Sequence, residues 1–98
     1  MKRDEVLMKL AENRGRLKDF SVKSLALFGS VARDEATDVS DVDLLVEFQD
    51  GAHVGLFGFV RLQRFLSEVL GCTVDLAMPD GLRKEFKDRI LKEAIRAA

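Results

Sequence analysis

The chain has 98 residues, 47% of them apolar and 34% charged, with a formal net charge of −1 and a single cysteine, Cys72. This length suits one small domain with a modest core, and the apolar share is too high for a disordered chain. Near-neutral charge argues against direct nucleic-acid binding, one cysteine rules out an internal disulfide, and no apolar run approaches membrane-spanning length, so a soluble cytoplasmic protein is expected.

Helix and strand patterns alternate along the chain. Residues from about Arg3 to Lys18 predict a helix with Val6, Leu7, Leu10, Ala11 and Leu17 near one stripe, weakened at Gly15. Val22–Phe28 predicts a strand ending at Gly29-Ser30, and a short helix is expected through Val31 to Ala36. Asp41–Phe48 predicts a second strand and Gln49 to Gly55 a loop. Leu56–Leu70 carries a strong helical pattern, stopped by Gly71. Cys72, just before a third strand at Thr73–Met78, reads as a small apolar residue rather than a reactive thiol. Pro79-Asp80-Gly81 predicts a turn, and Leu82–Ala97 a last helix with Leu82, Phe86, Ile90, Ala94 and Ile95 inward. The fold class expected is α/β (α+β): a small mixed sheet of three to four strands, with helices packed mainly on one face.

The residues that carry chemistry stand at two strand ends. Gly29-Ser30 closes the first strand and Asp41-Val42-Asp43 opens the second. Strand alternation puts Asp41, Asp43, Leu45 and Glu47 on one face and the apolar Val42, Leu44, Val46 and Phe48 on the other. Two neighbouring carboxylates repel, and a divalent cation offsets that repulsion; Mg2+ takes one or two carboxylates plus phosphate oxygens. Gly29 lets backbone approach a phosphate closely, and Ser30 offers an N–H and a hydroxyl, with a second option of capping the short helix. A Gly-Ser turn alone, or an Asp-x-Asp strand edge alone, is more often structural. Their combination with both flanking strands points to a site for a nucleoside triphosphate on Mg2+. Arg33, one turn further on, is placed either to meet phosphate or to lie in solvent, and Ser40 to shape the turn before Asp41. Asp75, in Val74-Asp75-Leu76, reaches the face of Asp41 and Asp43 if the third strand lies beside the second; otherwise it is an ordinary exposed strand aspartate. The glycine-containing segment Asp50–Phe59, with His53, lacks the Gly-Lys-Ser/Thr end of a Walker A loop.

Gly29-Ser30, ten intervening residues and Asp41-x-Asp43 resemble the signature of the DNA-polymerase-β-like nucleotidyltransferases. Leu27–Arg33, Ser40–Val46, Leu70–Leu76 and Arg89–Ile95 are similar to the minimal nucleotidyltransferases (MNT) of prokaryotes, so the likeness spans most of the chain. Asp34 departs from the pattern, which usually has glycine after the Ala-Arg pair. The resemblance implies a single minimal nucleotidyltransferase domain over residues 1–98 with the nucleotidyltransferase fold. It implies Asp41, Asp43 and Asp75 as catalytic carboxylates and metal ligands, two Mg2+ ions, and ATP as co-substrate held by Gly29, Ser30, Arg33 and Ser40. It also implies a partner: a helical HEPN toxin, onto whose tyrosine AMP is transferred, making this chain an antitoxin. Two alternatives stand beside it. One is transfer to a small molecule of the antibiotic type, completed by a helical subunit; the other is neutralisation of a toxin by binding without catalysis.

Overall fold

The computed structural model describes residues 1–37 and 40–98. In chain order the elements are α1 (Arg3–Glu12), α2 (Arg14–Asp19), β1 (Val22–Phe28), α3 (Gly29–Ala32), β2 (Val42–Phe48), α4 (Leu56–Leu70), β3 (Val74–Ala77), a 3-10 turn (Pro79–Gly81), α5 (Lys84–Glu93) and β4 (Ile95–Arg96). The strands form one mixed sheet in the order β3-β2-β1-β4. β1 runs antiparallel to β2 and β4, while β2 and β3 are parallel, joined through the α4 crossover.

One face of the sheet carries the core. Leu25 and Leu27 of β1, Val42, Leu44 and Val46 of β2, and Val74 and Leu76 of β3 are all buried there. Val6, Leu10, Leu17, Leu62, Leu66 and Leu70 from α1, α2 and α4 join the same cluster. The expected alternation in β2 therefore holds, and a shift of register between Val22 and Ser24 lets Val22 join Leu25 inside despite their odd spacing.

Three expectations are corrected. The first helix is two, broken at Asn13 rather than at Gly15; the Asn13 amide donates to the Lys9 carbonyl at 2.8 Å and so competes with continued helical hydrogen bonding. The last helix stops at Glu93, and the tail runs as β4 along the free edge of β1, with the Ala97 N–H donating to the Leu25 carbonyl at 2.7 Å. Satisfying an open strand edge outweighed the helical pattern there. Phe86, expected inward, is exposed, and α5 buries no side chain fully.

The third correction concerns the turn after β1. The short helix spans only Gly29–Ala32, because Asp34 takes a left-handed conformation with φ of 61°. The Glu35 N–H donates to the Ser30 carbonyl (2.9 Å) and the Asp34 N–H to the Val31 carbonyl (3.1 Å). This is the Schellman arrangement, whose left-handed position favours glycine. The residue at which this chain departs from the family pattern thus carries a side chain in a left-handed conformation, as does Ser21 with φ of 62°. Asp34→Gly is expected to raise stability by about 0.5–1 kcal/mol, net of the freedom glycine adds to the unfolded chain. A thermal melt should show it as a rise of about 2–6 °C.

Candidate active site

The sheet brings the separate motifs into one row. Phe28 pairs with Asp43 across β1–β2, and Asp43 pairs with Asp75 across β2–β3. All three point away from the core face, so Asp75 does stand beside Asp43, as the third strand's expected position requires. Asp41 lies just before β2, where the Val42 N–H donates to the Thr73 carbonyl at 3.1 Å and ties the strand start to β3. Gly29, immediately beyond Phe28, has φ of 77°. Its backbone passes directly against the Asp43 side chain: a Cβ there would overlap Oδ2 outright and lie 3.0 Å from Cγ. The Gly-Ser turn and the Asp-x-Asp pair, eleven residues apart from Ser30 to Asp41 in sequence, are therefore in contact.

The electrostatics follow from this crowding. Burial pushes the Asp43 carboxyl above the usual carboxylate range, and the charges of Asp75 and Asp41 push it the same way; Arg33 acts in the opposite sense. Cys72 is also pushed up, chiefly by burial, in keeping with a thiol packed against the core.

Arg33 reaches over the turn but does not stand free. Its Nε donates to Glu35 Oε2 at 3.2 Å, and its Nη1 donates to both Glu93 oxygens, at 3.1 and 3.2 Å. The Gly29 N–H also donates to Glu93 Oε1, at 3.3 Å. Ser40 is turned toward its own loop: its Oγ accepts from the Thr37 N–H at 3.0 Å and lies 3.2 Å from Thr37 Oγ1. It shapes the approach to Asp41, and no contact places it among the ligand-facing groups. Glu93 was missed by the pattern reading; the one signal that could have found it is its place in the Arg89–Ile95 segment that resembles the MNT tail.

A divalent cation fits the chemistry of this donor set. The donors are hard carboxylate oxygens, and a bound cation would offset the burial and the carboxylate repulsion that together raise Asp43. Among the described residues no three acidic side chains are already gathered around a common point. Mg2+ needs no such cage, because it completes its shell with water and phosphate oxygens. Among the described residues a cleft of about 690 Å³ lies elsewhere, lined by Arg14, Lys18, Lys23 and Arg96 among others, and includes none of the predicted site residues.

Residues 7–97 match the family model described as "Nucleotidyltransferase domain". The chain is 46% identical over 74 residues to a candidate protein adenylyltransferase of Methanocaldococcus jannaschii, covering 76% of this chain and 77% of that one. It is 33% identical over 93 residues to protein adenylyltransferase MntA of Thermococcus cleftensis, covering 94% and 92%. A solved chain described as a candidate minimal nucleotidyltransferase superposes with a TM-score of 0.82 at 33% identity, covering 97% of this chain and 95% of that one. A chain from a Shewanella oneidensis complex of a tri-AMPylated HEPN toxin with an MNT antitoxin shares the fold, with a TM-score of 0.67 at 16% identity over 95% of this chain and 71% of that one.

Proposed function

The chain belongs to the nucleotidyltransferase domain family, and on that premise we propose that it is a Mg2+-dependent protein adenylyltransferase, moving AMP from ATP to a tyrosine hydroxyl of a HEPN-type toxin and so acting as its antitoxin. The observation that carries this reading is the packing of Gly29 backbone against the Asp43 carboxylate, with Asp75 in register beside it. It is the surface on which a triphosphate and acidic metal ligands would meet.

On this reading Asp41 and Asp43 would hold one Mg2+, and Asp43 with Asp75 a second. When bound, the ions supply neutralisation of phosphate charge. The chain's own groups do the positioning. The N–H of Gly29 and the N–H and hydroxyl of Ser30 hold the β- and γ-phosphates, and Arg33 faces the leaving pyrophosphate. The acceptor oxygen forms a bond to the α-phosphorus, the bond from that phosphorus to the bridging oxygen breaks, and pyrophosphate departs in line. The acceptor proton passes to Asp75. Ser40 keeps the loop before Asp41 in shape through Thr37. Holding reactants in such a geometry is the main source of rate in phosphoryl-type transfer.

The acceptor would come from a second protein. Leu56 and Phe57 at the start of α4 are 74% and 80% exposed, and Phe86 and Leu91 of α5 are exposed as well. These apolar side chains suit a helical partner's surface. The relative named protein adenylyltransferase MntA supports a protein acceptor, and a chain of the same fold is found in complex with a HEPN toxin.

Mass spectrometry tests this. The protein, ATP and Mg2+ are incubated with a co-encoded helical protein where there is one, or otherwise with lysate, and the protein fraction is mapped for added AMP. The expected result is AMP on a tyrosine. AMP found only on a small molecule would favour the small-molecule transferase, and neutralisation with no transfer would favour an antitoxin that acts by binding.

A further inference from the structure

Glu93 holds the groups that the proposed function assigns to the triphosphate. Its Oε1 accepts from the Gly29 N–H at 3.3 Å and from Arg33 Nη1 at 3.1 Å, and its Oε2 accepts from the same Nη1 at 3.2 Å. The contacts link the end of α5 to the β1–α3 turn across more than sixty positions of sequence, with separations of 64 and 60. The carboxylate is an anion seated against a backbone N–H and a guanidinium, which is the pairing a phosphate oxygen would seek.

We propose that Glu93 is a placeholder for phosphate: it occupies these donors in the nucleotide-free chain and is exchanged for the triphosphate when nucleotide binds. The proposal rests on the reading of this surface as a nucleotide site. Three observations favour exchange over a permanent clamp. First, the Gly29 N–H has one hydrogen and cannot serve Glu93 and a phosphate fully at once. Second, Arg33 is already paired with Glu35 and Glu93, and the charge of Glu93 adds to those of Asp75 and Asp41 beside Asp43, so a triphosphate entering with Glu93 in place meets one more negative charge beside its own. Third, α5 buries no side chain fully, so its last turn can loosen around Glu93 while Ile95 and Ala97 stay against the core. Without nucleotide, the same contacts hold Arg33 at the turn, ready for the exchange.

The two roles predict opposite signs. A placeholder competes with nucleotide, so Glu93→Gln, which keeps the shape and removes the charge, should bind ATP and inorganic tripolyphosphate more tightly, on the order of tenfold, in calorimetry with Mg2+. Glu93→Ala should also bind more tightly. A permanent clamp for Arg33 would make both variants weaker, and that result, or unchanged affinity, overturns the proposal. If the variants do not fold, the wild-type protein decides. On adding Mg2+ and tripolyphosphate, the amides of Lys92 to Ala94 should lose hydrogen-exchange protection as Glu93 leaves and the last turn of α5 loosens, while β4 keeps its pairing with β1. Retained protection at saturation overturns the exchange. A wild-type protein that binds neither ATP nor tripolyphosphate overturns this proposal together with the nucleotide-site reading. A wild type that binds both, with no gain in Glu93→Gln, overturns the placeholder role alone.

Discussion

Asp43→Asn is expected to abolish transfer while making the metal-free protein more heat-stable. The loss should be at least on the order of 10²–10³-fold in rate, the scale on which removal of one electrostatic element of a phosphoryl or acyl site is felt. Asn keeps the size of the side chain and loses the charge that, on the proposed reading, would be shared by the two metal ions. The stability change has the opposite sign because of the same crowding. Burial first, then Asp75 and Asp41, holds the Asp43 carboxyl above its ordinary range in the folded chain. An acid with a raised folded pKa binds its proton more tightly folded than unfolded. Stability then falls as pH climbs from the unfolded value through the folded one, and the full cost is present above it. Removing the charge removes that cost, so the melting temperature rises at neutral pH. The gain should shrink as pH falls and the wild-type carboxyl protonates. A scanning melt of both proteins in chelator, at neutral and at acid pH, together with an activity assay, measures the two effects on the same samples.

Gly29→Ala is expected to damage both stability and activity. The φ of 77° at Gly29 is a left-handed conformation, which costs an L-residue about 1–2 kcal/mol. The added methyl would also overlap the Asp43 carboxylate, so that either the turn or the aspartate must move. Together these should lower stability by about 2 kcal/mol or more, or about 8 °C or more in a melt. Displacing Asp43 from the turn should reduce transfer on the order of 10²-fold, as misplacement of reacting groups by an ångström does. Circular dichroism melts and initial rates on the same preparation check both numbers. A variant that melts normally and works normally would mean that Gly29 and Asp43 are not packed as described.

The parts of the fold written in local pattern were legible in the sequence. β2 reads directly from its apolar alternation, α4 from its helical spacing, and Gly71 ends that helix with a φ of 70°. The Gly29–Asp43 contact was legible because the two motifs lie at strand ends and strand alternation fixes the face of Asp43, whereas Asp75 could be set beside Asp43 only on the condition that the third strand lies next to the second, which the sheet order meets. What escaped was decided by tertiary partners. Ile95 and Arg96 have a helical pattern, yet the open edge of β1 recruits their backbone into β4. Asn13 breaks the first helix through a side-chain bond to Lys9 that no periodicity reveals. Glu93 looks like any charge on an amphipathic helix until the fold carries it to Gly29 and Arg33. Ser40, expected to shape the turn before Asp41, has its hydroxyl engaged by Thr37.

Transfer of the α-phosphate of ATP, with its nucleoside, onto a protein is tested by comparing ATP labelled at the α-phosphate with ATP labelled at the γ-phosphate, each incubated with Mg2+, a HEPN-type neighbour protein where one is co-encoded, and either the wild-type protein or Asp43→Asn. Label should enter the neighbour from the α-position only, with pyrophosphate released in equal amount, and not at all with Asp43→Asn. Label entering from the γ-position, or entering from the α-position equally well with Asp43→Asn, would contradict it.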